Sequence, residues 1–397
     1  LIKRNEIAIF RNSPVTKLVR MTTNPQDRDK ILFTPGPLST ARATKEAMLR
    51  DLGSRDAEFL NIVRGIRTKL LNIAGVAQSG GFEAILMQGS GTFGVESVIS
   101  SVLPRDGQLL VLINGAYGER IVHIARVLGV QVAEDNRLEN TPVTPSAAEA
   151  ALRKHPEADC VAVVHCETTT GLVNPVASIG AVVKAAGRTL IVDAMSSFGV
   201  LPLDLEAAGV DFLITSANKC FEGVPGFAVI LARTSSLLAA EGRARSVCLD
   251  IHAQWRGLES SGQFRFTPPT HAMLAMESAL EAYEAEGGAT GRRGRYEANQ
   301  KTLLRGMTRL GFRTYLNPIH QSCIITTFHY PAHPNFSFEV FYNLLNDKGF
   351  VIYPGKLTHA DCFRIGTVGQ VFPQDVEALL GAIEQTLSEM DVEVNPS

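Results

Sequence analysis

The chain has 397 residues, 45% of them hydrophobic, and carries 38 Lys and Arg against 40 Asp and Glu for a formal net charge of −2. That length can bury a large core and favours two lobes over one. The balanced charge gives no electrostatic reason to expect nucleic acid or an anionic membrane as partner, and no apolar run reaches the roughly 18 residues of a membrane span.

The first twenty residues hold Lys3, Arg4, Arg11, Lys17 and Arg20 against the single acid Glu6, and stop just short of Met21. They have no convincing amphipathic period, which favours an extension translated ahead of a start at Met21 over an organelle presequence. Residues 1–30 are therefore set apart from the functional core as an extension, disordered or not native.

From about residue 83 short apolar runs alternate with helical patterns: EAILMQ, a helix from Thr92, LLVLIN, a helix from Tyr117, then CVAVVH, TLIVDA, DFLITSA and FAVILA. This reads as an α/β core. Several runs are apolar on both strand faces, as in a mostly parallel sheet covered by helices on each side. Between the first run and its helix, Gly89 to Gly94 satisfy GxGxxG. A dinucleotide fold would also need an acid at the end of its second strand, where this chain has Asn114 and Gly115. The same loop serves a single phosphate equally well, through backbone N–H groups and the Ser90 and Thr92 hydroxyls at a helix N-terminus. Tyr117 opens the next helix in position to lay its ring over a ligand, although a core tyrosine explains it nearly as well.

Polar residues then gather at the strand ends: His165, Glu167 and Thr168 after one run, Asp193 closing the next, and Ser216, Asn218 and Lys219 after a third. Open α/β sheets place ligands there. A pyridoxal cofactor stabilises a carbanion only while its ring nitrogen is cationic, which a buried carboxylate maintains. It also needs a lysine of depressed pKa, first as nucleophile and then as base. Asp193 and Lys219 fit those roles. Singly, a helix-capping Asp and a surface Lys would account for them as well; three converging strand ends argue for the site.

A helix is expected from about Thr270 to Glu286, after which Gly287, Gly288 and the charged GRRGRYE interrupt the pattern and mark a boundary. The remainder has a helix to about Leu310, SCIITTF, a helix from Phe336, VIYP, FRIG and a helix from Gln374. The expected division is 31–286 as a large domain, whose first residues could reach the small one, and 287–397 as a small α+β domain. The six cysteines form no CxxC pair, and several sit in apolar runs, which suits a reducing cytoplasm. The nine histidines include no HExxH, and the close pair His329 and His333 lies in Pro-rich HYPAHPNF, so no metal is expected.

With these residues assembled, the chain resembles the class V aminotransferases of the fold type I pyridoxal phosphate enzymes. The likeness runs from about Ile31 to Leu387 through FTPGPL, MQGSGT, NGAYG, HCETTTG, VDAMSSFG, TSANKC, GVPGF, AQWR, FTPPTH, VIYPGK and CFRIG. It implies a large domain with a mostly parallel sheet flanked by helices, and a smaller C-terminal α+β domain. By resemblance Lys219 matches the lysine bonded to pyridoxal 5′-phosphate, Asp193 the partner of the ring nitrogen, and Ser90, Gly91 and Thr92 the phosphate loop. Thr168 matches a residue near the cofactor's phenolic oxygen, with Thr169 a close second. Tyr117 would stack on the ring, and Ser216 and Asn218 count among the cofactor contacts. Thr267 matches a threonine that reaches the phosphate of the neighbouring subunit's cofactor, so a homodimer with shared sites is implied. Arg364 matches the arginine that clamps the keto-acid carboxylate, with Gly36 as a further substrate contact. A planar guanidinium suits a carboxylate or a phosphonate alike, and a structural ion pair is the competing explanation.

The implied reaction moves an amino group from 2-aminoethylphosphonate to pyruvate, giving phosphonoacetaldehyde and L-alanine in phosphonate catabolism. The alternative within the family uses alanine and glyoxylate, or serine and pyruvate. An NAD-binding oxidoreductase would rest on GxGxxG alone. A non-catalytic interaction protein would leave Lys219 dispensable.

Overall fold

The computed structural model describes residues 29–355, 357 and 360–393, so the extension expected over 1–30 lies outside the described residues except for Asp29 and Lys30. Seven strands make the main sheet: β1 (Phe82–Gly89), β2 (Gln108–Ile113), β3 (Gln131–Asn136), β4 (Ala158–Val164), β5 (Thr189–Asp193), β6 (Phe212–Ser216) and β7 (Gly226–Arg233). Their order across the sheet is β1-β7-β6-β5-β4-β2-β3, and neighbours run parallel except for the two pairs made by β7. β5 and β6 are buried at successive residues rather than at alternate ones. That pattern requires cover on both faces, and it is why these runs read as unbroken apolar stretches.

Helix α1 (Gly91–Val102) follows β1 and packs on β1, β6 and β7; α2 (Ala116–Val127) follows β2 and packs on β2, β3 and β4. Each begins one residue ahead of the expected Thr92 and Tyr117. Ser90, in extended conformation, ends the loop before α1, and its hydroxyl makes no capping bond to that helix. No N-cap side chain therefore takes the first-turn N–H groups of α1.

A smaller sheet of β8 (Ile325–His329), β9 (Tyr353–Pro354) and β10 (Cys362–Gly366) is antiparallel in the order β8-β10-β9. Its core joins Phe328, Phe363 and Ile383 to Phe33 near the front of the chain. Ile31 and Leu32 pair in parallel with Phe350 and Val351, so the first described strand belongs to this lobe's packing.

The chain passes from the main core to the smaller one through α3 (Thr270–Ala285), whose Met273, Met276 and Leu280 sit in the main core, and α4 (Gly288–Arg309); they are joined at Gly287 and Gly288, both with positive φ. The expected interruption at GRRGRYE is corrected here: those residues lie inside the 22-residue α4. The charge run is helical because its arginines find acids, with Arg292 and Arg295 on Glu286 and Glu222 and Arg293 on Glu297. Tyr296 packs with Cys166, Cys220 and Cys323 in a third cluster, whereas Leu303 and Met307 enter the smaller core, so one helix is built into two of the three clusters.

Candidate active site

The parallel strands deliver their carboxyl ends to one edge of the sheet. The cavity there is lined by Ser90, Gly91, Thr92, Tyr117, Asp193, Ser216, Asn218 and Lys219, eight of the residues singled out from sequence. Asp193 is the last residue of β5, and Ser216 the last of β6, from which a tight turn carries Asn218 and Lys219.

Burial sets the electrostatics. It pushes the Lys219 ammonium down to about 8, with Arg364 and Arg120 adding to the effect and Asp193 opposing it. Nζ donates to the Pro35 carbonyl at 2.9 Å. A Cβ at Gly36 would stand 2.5 Å from that nitrogen, so only glycine lets the chain close over the lysine. The Asp193 carboxyl is raised to about 6 by burial, against the pull of the Met195 N–H at 3.0 Å and of Arg120 and Lys219. Neither group has a tight ionic partner among the described residues, and both keep a reactive or recruiting capacity that a paired group would lose.

Glu167 is fully buried and raised to about 8 by that burial, although it accepts the Gly118 N–H at 3.1 Å at the start of α2. A Cβ at Gly115 would lie 2.6 Å from its Cδ, so this carboxyl occupies the space under the turn that presents Tyr117. His165 is lowered to about 4 by burial and is neutral at ordinary pH.

The other sequence-selected residues do not line the cavity. Arg364, on β10, is 2% exposed; Nη1 donates to the Thr168 carbonyl at 3.0 Å and Nε to the Pro354 carbonyl at 2.9 Å, leaving Nη2 in neither bond. The Thr168 hydroxyl meets Ser196 Oγ at 2.8 Å. Thr169 is turned to the small lobe, its carbonyl accepting the Thr327 hydroxyl at 3.1 Å and its own hydroxyl directed at Glu167. Thr267 is exposed, and its carbonyl receives Gln88 Nε2 at 3.3 Å.

Sequence reasoning missed Arg120 and Met195, which also line the cavity. The Arg120 guanidinium lies 4.7 Å from the Tyr117 ring centroid and reaches the Thr92 hydroxyl at 3.4 Å. The signal was present: Arg120 is three residues after Tyr117 on one helix, which places both on the same face. Met195 Sδ would be 2.2 Å from a Cβ at Gly91, so the loop and the Asp193 turn are in close approach there.

An aldehyde, a basic ring nitrogen and a phosphate would each find a chemical partner in this cavity: a partly neutral amine, a buried carboxyl and a helix N-terminus flanked by hydroxyls and an arginine. Pyridoxal phosphate therefore fits the residues present. Among the described residues no group of three or more His, Cys, Asp or Glu is arranged to hold a metal ion, and no helix is long and apolar enough to cross a membrane.

Residues 41–360 match the model of the family described as Aminotransferase class-V. The chain is 48% identical over 359 residues to a 2-aminoethylphosphonate–pyruvate transaminase of Vibrio vulnificus, a match covering 90% of this chain and 97% of the relative. It is 46% identical over 362 residues to a relative of the same description from Rhizobium meliloti, covering 91% and 94%. Among solved structures, a pyridoxamine–pyruvate aminotransferase from Mesorhizobium loti superposes with a TM-score of 0.85 at 24% identity, over 94% of this chain and 96% of that one. An alanine–glyoxylate aminotransferase from Nostoc sp. gives 0.85 at 23% identity, over 91% and 96%. The fold is that of the fold type I pyridoxal phosphate transferases.

Proposed function

The chain belongs to the class-V aminotransferases, and from that premise we propose that it transfers the amino group of 2-aminoethylphosphonate to pyruvate, yielding phosphonoacetaldehyde and L-alanine. The reaction class is carried by one observation: a buried lysine with an amine near pKa 8 shares a cavity with a buried, unpaired aspartate. The choice of donor is supported by the likeness to relatives of that description at 46–48% identity over nine-tenths of the chain.

Pyridoxal 5′-phosphate, when bound, supplies the electron sink that an amino-group transfer needs. Lys219 would be bonded to it, and its near-neutral amine can both take and return a proton at Nζ. Asp193 would hold the ring nitrogen, because a cation there restores the ionised form that burial disfavours. The N–H groups of Gly91 and Thr92, the Ser90 hydroxyl and Arg120 would hold the phosphate, with Tyr117 over the ring and Thr168, Thr169, Ser216 and Asn218 around it. Arg364 would orient the acidic end of each substrate, and one planar guanidinium serves a phosphonate and a carboxylate in turn. Gly36, where the chain closes over Lys219, would be a further substrate contact.

Thr267 is exposed and outside its own chain's cavity. That placement supports its reaching the site of a partner subunit in a homodimer. The division into a large lobe over 31–286 and a small one beyond it is part of the same proposal. A cytoplasmic setting is supported by six free cysteines, five of them buried.

The test is a visible absorption spectrum of the purified protein with pyridoxal phosphate, before and after 2-aminoethylphosphonate, with L-alanine and L-serine as controls. Bleaching of the lysine-bound band by the phosphonate in preference to serine is the expected result. Bleaching by serine or alanine alone would move the donor to the alternative family reaction, and no band would overturn the reading.

A further inference from the structure

Three residues beyond Lys219, Glu222 has a φ of +60°, in the left-handed region that residues with a Cβ avoid. Its N–H donates to the Lys219 carbonyl at 2.8 Å and closes the turn that carries the lysine. The side chain is 4% exposed, and its Oε1 accepts the Tyr296 hydroxyl at 2.6 Å and Arg295 Nη2 at 2.7 Å, with Arg292 Nη1 at 3.4 Å. Arg292 Nη1 also donates to the Cys220 carbonyl at 2.6 Å, so α4 grips the turn at two points.

The same side chains reach the other lobe. Arg295 Nη1 donates to the carbonyls of Gly369 and, at 3.1 Å, Val371, and the Gly369 N–H donates to the Tyr296 hydroxyl at 3.3 Å. Those residues follow β10, the strand of Arg364. A left-handed residue other than glycine persists only where its surroundings over-determine it. Two hydrogen-bond donors and a further guanidinium converging on one carboxylate oxygen do so here.

We propose that Glu222 is a positioning residue for Lys219, locking the lysine turn through Arg292, Arg295 and Tyr296 to α4 and to residues 369–371, so that the reach of the amine depends on how the small lobe is seated. This rests on the reading of Lys219 as the residue that bonds the cofactor. A purely structural ion cluster would stabilise the fold without favouring the lysine's chemistry.

The experiment compares the affinity of the full chain for pyridoxal phosphate with that for 4-deoxypyridoxine phosphate, which has the same ring and phosphate but no aldehyde. Their ratio reads what Lys219 adds. Glu222→Gly keeps a backbone suited to the left-handed turn but removes the carboxylate, and should lower the ratio about tenfold while binding of the deoxy analogue stays near wild type. Glu222→Gln, whose amide oxygen still accepts hydrogen bonds, should hold the ratio within about threefold of wild type. Tyr296→Phe, a gentler change that removes one donor, should fall between them and serves if Glu222→Gly does not fold. An unchanged ratio in Glu222→Gly, or in Tyr296→Phe should that variant have to stand in, overturns the proposal, even with a lowered melting temperature. A wild-type ratio near one would overturn the assignment of Lys219 itself, and this inference with it.

Discussion

Lys219 and Glu222 share one turn, and both are ionisable groups removed from water, yet among the described residues only Glu222 has opposite charges within hydrogen-bond distance. The lysine meets a neutral carbonyl, and burial lowers its pKa to about 8. The Glu222 cluster goes the other way. Burial alone would lower Arg295, and Glu286 and Glu222 more than reverse it, so this arginine stands above its usual value. An unpaired buried charge changes its chemistry, whereas a paired one fixes geometry and becomes expensive to break.

The largest effect expected is at the unpaired pole. Lys219→Ala should abolish the visible band and lower alanine formation from pyruvate by about four orders of magnitude. Its stability near pH 7 should rise in urea denaturation, because the penalty of burying the ammonium goes with the side chain. A variant that kept both band and turnover would remove the contrast at its root.

At the paired pole the balance is reversed. Arg292→Ala leaves Glu222 and Glu286 short of a partner and should cost about 3–5 kcal/mol of stability in the same denaturation measurement. A cost below about 1 kcal/mol would place this cluster with ordinary surface pairs.

The finest probe is pH. Capture of pyridoxal phosphate by the cofactor-free protein needs a neutral amine, so its rate should rise about tenfold per unit up to pH near 8 and then level. A lysine at its ordinary value of 10.5 would go on accelerating past that point. The sign for stability agrees. The folded state disfavours the ammonium, so the penalty is complete below about 8 and fades as pH rises towards 10.5.

Much of this contrast was legible in the sequence, and the rest was lost for identifiable reasons. Runs such as TLIVDA and FLIT announce strands buried on both faces, and Asp193 and Lys219 are conspicuous because they end such runs. The reversal of β7, and its insertion between β1 and β6, depend on pairing between distant segments that no local pattern encodes. Arg120 was passed over although its spacing from Tyr117 held the clue, because one arginine on a surface helix looks like solvent-facing charge. GRRGRYE reads as a break for the same reason: Glu222, which pairs with Arg295 and helps make it a buried helix face, becomes its neighbour only when the chain folds.

The parallel pairing of Ile31 with Phe350 also has a consequence for the order in which the molecule is made. A ribosome delivers the segments of the main sheet, from β1 to β7, well before Phe350 emerges, so that sheet can close while the front strand still waits for its mate. The carbonyl of Pro35, the partner of Lys219, rides on that waiting segment. The main sheet can therefore be built early, but the pocket around its lysine is finished only once Phe350 has emerged.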